Sequence, residues 1–445
     1  MISAKENRLL TDILGDSPAA GVLRNYWQPA ALVEELTETR PVVPVRLFGE
    51  ELALFRDEQG RYGLVGRHCP HRGADLCYGR LEDGGLRCAF HGWLFDVAGR
   101  CLEQPAEPKG SRFHEKLRHR SYPCEVRSGI VFAYLGEGEP PPLPEFDCLT
   151  APDSHTFAFK GLWECNWLQA LEVGIDPAHA SFLHRFFEDE DTSESYGKQF
   201  RGAAADTDIP LTKILREYER PDIQTEETDY GFRLITTRDI DEKTVHYRIT
   251  NLVFPNAITI PMSRDMTITQ WHVPIDNETC YWYSIFTSFG GPVDKATMRE
   301  QRLKEHTLPE YRPVKNKHNY YGFDPQEQKN QTYTGMGMDI NVHDQWAVES
   351  LGPIQDRTDE HLGQSDVGIK LYRRLLKEAM EAGSATALPF RPDNGRVLNQ
   401  RGPVAVDALG PPEEPDCWKT YDRERRGASD WAPDPWTSTE SAHGE

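Results

Sequence analysis

Hydrophobic and polar positions fall into distinct regimes along the chain. Over the first 40 residues, Leu9, Leu10, Ile13 and Leu14, then Val22, Leu23 and Trp27, recur on either side of a Gly15-Asp16-Ser17-Pro18 break. That rhythm predicts short helices forming a packing arm. From about 42 to 135 the pattern becomes short β-rich runs, 45–55, 61–66, 93–95 and 129–135, divided by glycine-containing turns. A small all-β domain follows. Residues 137–144 hold four prolines and two glutamates, so they cannot continue a central strand and read as a linker, with a domain boundary near 155.

Beyond it, a helical region at 164–187 precedes strand-like runs at 232–240, 245–253, 266–273 and 280–289. A further helix is predicted at 367–382, with Tyr372, Leu375, Leu376 and Met380 on one stripe, Asp366 at its start and Gly383 as its stop. Strand runs bracketed by helices give an α+β class. The division expected is an arm at 1–40, the all-β domain at 41–155, a second domain at 156–385 and an extended C-terminal tail at 386–445. The tail is rich in Pro, Gly and charge, yet Trp418, Trp431 and Trp436 suit it to lie over the body or a neighbouring subunit.

Charge narrows the partners. Lys and Arg number 50 against 71 Asp and Glu, a net charge of -21, which argues against nucleic acid or an anionic membrane. An anionic small substrate would need a local Arg or Lys in its pocket. No run of 18 uncharged apolar residues occurs, and the N-terminus has no basic start with an apolar run, so a cytoplasmic protein is expected. Nine cysteines spread over 445 residues suit reduced thiols and metal ligation better than a disulfide framework.

Two of those cysteines sit in paired motifs. Cys69-Pro70-His71 and Cys88-Ala89-Phe90-His91 each place one thiolate and one imidazole on a loop of the β domain. In a Rieske-type [2Fe–2S] centre, one iron keeps two Cys and the other takes two His. Cys69 and Cys88 would hold one iron, His71 and His91 the other. Structural zinc is the competing use of two Cys and two His, but finger-like sites pair Cys with Cys and His with His along the chain. Gly73 and Gly92, near the histidines, allow tight backbone turns.

A second constellation spans 166–184. Non-haem Fe(II) oxygenases need two His and one carboxylate on one face of the metal. His179 and His184 are the obvious pair, and Asn166 and Asp176 are further catalytic candidates in the same segment. A five-residue step is awkward on a regular helix, so either a π-bulge or a helix ending just before His184 is predicted. The carboxylate is best sought in 341–350, where Asp344 is preferred. Residue chemistry alone does not separate it from Asp339 or Asp356. His343 reads as a packing or supporting residue.

Taken together, these motifs resemble those of the α subunits of Rieske ring-hydroxylating oxygenases, and the opening through Trp27-Gln28-Pro29 with the long tail is most similar to the phthalate dioxygenase branch. The resemblance implies a catalytic domain with a curved antiparallel sheet gripped by helices. It implies a [2Fe–2S] cluster on Cys69, His71, Cys88 and His91, and a mononuclear iron on His179, His184 and Asp344, with Glu349 five residues on. Asp176 would couple the iron site to a cluster histidine of an adjacent subunit, hence a head-to-tail trimer or stacked trimers. O₂ and an aromatic carboxylate would be substrates, for ring hydroxylation or O-demethylation. The chain has no Gly-x-Gly-x-x-Gly after a strand and no ferredoxin loop, so a separate NAD(P)H-dependent reductase is implied. Arg248, alternating with His246 and Thr250 on a predicted strand, is the candidate anchor for a substrate carboxylate. A reading of another class is an electron carrier with a degenerate second site.

Overall fold

The run at 45–55 is a hairpin, not one strand. Val42–Leu47 and Glu50–Arg56 pair antiparallel around Phe48 and Gly49, whose φ values of 51° and 74° give a two-residue turn with twist matched to its strands. The turn also joins two parts of the molecule. Phe48 N–H and Gly49 N–H donate to the carbonyls of Pro274 and Ile275 at 3.1 and 2.7 Å. This computed structural model describes residues 1–188, 209–382, 388–390 and 402–432.

The N-terminal helices are Ala4–Thr11, capped by Ser3, and Pro18–Leu23. The arm then enters a sheet, for Gln28–Leu32 pairs with Ile130–Ala133, itself paired with Cys124–Arg127. Two four-stranded sheets complete the β region. One contains the hairpin with Tyr62–Gly66 and Ser121–Tyr122; the other is Arg80–Glu82, Gly85–Arg87, Leu94–Phe95 and Cys101–Glu103.

Beyond the linker, an eight-stranded antiparallel sheet forms the second body. Its spatial order begins Thr156–Trp163, Cys280–Ser288, Met266–Pro274 and Ala257–Pro261, and continues to Val245–Val253, Gly231–Asp239 and Asp222–Glu227. The four strands expected from alternation are present. Thr156–Trp163, Asp222–Glu227 and Ala257–Pro261 escaped that pattern: the first is buried on both faces and the second is largely exposed, so neither shows clean alternation. Helices grip one face of the sheet. A Cβ on Gly174 would stand 2.5 Å from Ile258 Cδ1, and one on Gly368 3.0 Å from Leu234 Cδ2, so Trp167–Gly174 and Val367–Glu381 approach closely through glycine.

Residues 402–432 are not an extended tail. Val406–Gly410 pairs with Val245–Val253 as an eighth strand, and Cys417–Gly427 is a helix. Trp418 is fully buried, and Arg426 pairs with Asp147 and Asp422 at 2.6 and 2.9 Å. Within 402–432, proline and glycine flank the strand and part of the charge forms a buried ion network. Trp431 stacks on Phe289; Gly383 and Trp436 lie outside the described residues. No helix among the described residues is long and apolar enough to cross a membrane.

Candidate active site

The two Cys/His loops share one backbone plan. Gly73 N–H donates to Cys69 O at 2.8 Å and Gly92 N–H to Cys88 O at 2.9 Å, while Cys69 N–H and Cys88 N–H donate to Ala74 O and Trp93 O at 2.8 Å each. Both glycines have positive φ, 79° and 73°. The His71 and His91 rings lie 4.4 Å apart, and His71 stacks on Trp93 at 4.5 Å. Cys69 and Cys88 are buried, and burial together with the nearby Cys88 pushes the free Cys69 thiol up to about 11, a cost that metal ligation removes by deprotonating it. His71 Nδ1 is buried with no hydrogen-bond partner. The four ligand atoms do not gather within 4.8 Å as ligands of one ion would. They fit a two-iron cluster and not a tetrahedral zinc ion.

The other constellation is built where a helix gives out. Trp167–Gly174 stops at Ile175, Asp176 Oδ1 accepts from Ala178 N–H at 3.0 Å, and a single turn, Ala180–Leu183, ends at His184. The five-residue step is thus resolved by ending the helix. His179 Nε2 and His184 Nε2 stand 3.2 Å apart, with Asp344 Oδ1 at 3.7 and 3.1 Å from them. Ligand atoms about 2.1 Å from one ion at right angles would stand ~3 Å apart, so this spacing fits a single metal. It is the one such group of three or more among the described residues. Asp344 comes from the helix Ile340–Glu349. Burial opposes its charge, but the imidazoles of His184 and His179 hold its pKa below the usual carboxylate value.

Both imidazoles are oriented from behind. His179 Nδ1–H donates to the Asp176 carbonyl. His343 Nε2–H donates to Gly337 O at 2.8 Å, leaving His343 Nδ1 to accept from His184 Nδ1–H at 3.4 Å. The network therefore assigns a lone pair to each Nε2 facing the acid. Beside His179 lies a cavity of about 740 Å³, lined by Phe182, Tyr320, Phe323, Tyr333, Met336 and Trp346, among others.

Four expected roles change. Asp339 caps its helix and pairs with Arg302 at 3.0 Å, and exposed Asp356 caps a turn at Thr358, so neither joins the triad. Asn166 is not catalytic: its Oδ1 accepts from Leu168 N–H, and its amide donates to Thr11 O and Asn277 O. Its hydrogen-bonding capacity is spent on holding the arm and capping a helix. Arg248 is not a free anchor, because Asp407 of the unforeseen C-terminal strand meets its guanidinium at 2.6 Å.

The chain matches the family described as Rieske [2Fe-2S] domain over residues 26–123, and LigXa C-terminal domain like over 133–397. It is 35% identical over 402 residues to the phthalate 4,5-dioxygenase oxygenase subunit of Pseudomonas putida, covering 86% of this chain and 88% of that protein. The chain belongs to the Rieske non-haem iron oxygenases. This Rieske oxygenase is also 33% identical to the 5,5'-dehydrodivanillate O-demethylase oxygenase subunit of Sphingobium sp. (strain NBRC 103272 / SYK-6), over 86% of the chain and 81% of the relative. Among solved structures, the NdmA QL mutant of Pseudomonas putida CBB5 with theobromine superposes with a TM-score of 0.56 at 20% identity, covering 83% of this chain and 95% of the other. That likeness is one of fold. The cofactors of this Rieske oxygenase are a [2Fe–2S] cluster and a mononuclear iron, and the electron-carrier reading is set aside.

Proposed function

We propose that this chain is the oxygenase component of a system that hydroxylates an aromatic carboxylate, phthalate-like or a substituted benzoate, with electrons from a separate NAD(P)H-dependent reductase. The observation that carries the reading is the convergence of His179, His184 and Asp344 beside a cavity walled by aromatic side chains. Cys69, His71, Cys88 and His91 hold the cluster; His179, His184 and Asp344 hold the mononuclear iron. That iron, when bound, supplies O₂ activation.

The protein's own part is positioning. His179, His184 and Asp344 would hold the metal from one side, which would leave its other side for O₂ and substrate. Phe182, Phe323, Tyr333 and Trp346 offer flat apolar surface to a ring. The 35% relative named for phthalate supports an acid substrate. The relative named as an O-demethylase supports a second outcome at the same site, loss of an O-methyl group from a methoxylated acid.

A head-to-tail trimer is the assembly we favour. Tyr78 and Phe90 are 80% and 58% exposed beside the cluster loops, and Tyr320 and Phe182 are 80% and 43% exposed beside the iron ligands. Unlike apolar patches of this kind pair heterologously, and such an interface closes into a ring. Asp176, half-buried at the iron end, would then face the partner's cluster.

The test is oxygen uptake by the iron-loaded protein with a surrogate reductase and NADH, across phthalates, chlorobenzoates and methoxybenzoates. Uptake that depends on an acid, with a product gaining two oxygens and two hydrogens, supports dioxygenation. Formaldehyde release supports demethylation. No acid-dependent uptake despite a reducible cluster overturns the aromatic-acid reading.

A further inference from the structure

The cavity beside His179 differs in charge from the chain around it. The protein carries a net charge of -21, yet no Asp or Glu is among the described residues that line this cavity, and besides His179 they include one basic side chain, Lys317. Apart from Gln328 and Thr334, the rest of the wall is aromatic or aliphatic. An acidic protein repels small anions from most of its surface, so a cation in a carboxylate-free pocket is where an anionic group settles.

Local backbone structure sets Lys317 at this wall. It opens the turn Lys317–Gly322, where Asn316 Oδ1 accepts from His318 N–H at 3.0 Å and Asn319 Nδ2–H donates to Val314 O at 2.7 Å. Tyr320, Tyr321 and Gly322 then take left-handed φ values of 54°, 56° and 67°. Two consecutive tyrosines in that region are strained, and such strain persists where surrounding contacts fix it. Tyr321 is fixed twice: its OH donates to Glu349 Oε2 and its N–H to Asn316 O, each at 2.8 Å. The turn thereby brings Lys317, Tyr320 and Tyr321 to one cavity.

The charge on Lys317 is not cancelled by its partner. Glu164 Oε2 lies 3.3 Å from Lys317 Nζ, but Arg312 Nη1 already meets Glu164 Oε1 at 3.1 Å. Two cations share one carboxylate, which leaves one positive charge in excess. An ammonium has three N–H donors, so those not turned to Glu164 are free for a ligand. The Lys317 side chain is 47% exposed against 21% for His179, so a ligand can reach it, and it marks the solvent side of the cavity.

We propose that Lys317 is the carboxylate anchor of the substrate site: it binds the acid group of an aromatic acid at the solvent side of the cavity and directs the ring inward, toward His179. Glu164 tunes the anchor by competing for the same ammonium. The inference rests on the aromatic-acid reading above and deepens it by naming the residue that selects the acid.

Calorimetric titration of 4-methoxybenzoate and its neutral analogue 4-methoxybenzamide into the enzyme carrying cluster and iron tests it, because the two ligands share a shape and differ in charge. Wild type should bind the acid about tenfold more tightly than the amide. Lys317→Met should weaken the acid by about tenfold and leave the amide within about twofold, whereas Lys317→Arg should keep the preference. Glu164→Gln removes the competing acceptor and should strengthen acid binding by about threefold with the amide unchanged, a gain that a merely structural Lys317 would not give. Cluster absorbance and thermal midpoint identify any variant that fails to fold; wild type and Glu164→Gln then decide the matter without Lys317→Met. Equal weakening of acid and amide in folded Lys317→Met, acid binding that survives that substitution, no gain in Glu164→Gln, or no preference for the acid in wild type overturns the anchor. Binding of neither ligand by wild type overturns the underlying reading instead.

Discussion

His343 Nδ1 lies 3.4 Å from His184 Nδ1, with the two rings nearly parallel at 23°. Because His343 spends its Nε2–H on Gly337 O, it presents an acceptor to His184 and turns the other nitrogen of that ring toward Asp344. His343→Phe keeps the bulk and removes the acceptor; His343→Asn keeps an acceptor near the Nδ1 position. The phenylalanine variant should lose iron affinity by roughly 10- to 100-fold while keeping the cluster, and asparagine should retain most of it. Iron retained against a graded chelator is the measurement. Equal retention by His343→Phe and wild type would reduce His343 to packing.

Gly92 should tolerate a side chain less well than Gly73. Both have left-handed backbone, but a Cβ at Gly92 would stand 3.1 Å from Pro105 Cγ, whereas nothing lies within 4 Å of one at Gly73. Gly73→Ala should cost about 1–2 kcal/mol from backbone conformation alone, and Gly92→Ala more. Thermal midpoints and cluster occupancy after purification check the order; equal effects would contradict it.

Acid should destabilise the fold before its carboxylates titrate. Burial pushes the pKa of His306 down to about 4 and that of His272 to about 3. The unfolded chain, with ordinary histidines, binds more protons below about pH 6.5. Stability should therefore be fully present above that pH and fall as pH drops toward the folded values. Each group contributes a loss of about 1–2 kcal/mol at pH 5. Urea unfolding at pH 7.5 and pH 5 reads this directly, and a flat profile would refute the neutral buried state.

Much of the site was legible because metal chemistry leaves dense local patterns. Cys69/His71 and Cys88/His91 declare themselves by spacing, and the step from His179 to His184 correctly demanded an interrupted helix. The choice among Asp339, Asp344 and Asp356 was not legible, since helix caps and metal ligands use the same residue. Only the fold shows that two of them are occupied with capping. Asn166 misled for the same reason. Asp407 lay hidden because its strand is short, flanked by proline and glycine, and finds its partner, Val245–Val253, more than 150 residues away.

The central claim is tested most directly by counting iron in purified, reconstituted wild type and His179→Ala, with the cluster followed by its reduced-state spectrum. The account predicts one iron beyond the two of the cluster in wild type, and loss of that iron and of oxygen uptake in His179→Ala with the cluster spectrum unchanged. Equal iron in both proteins, or uptake that survives the substitution, would contradict it.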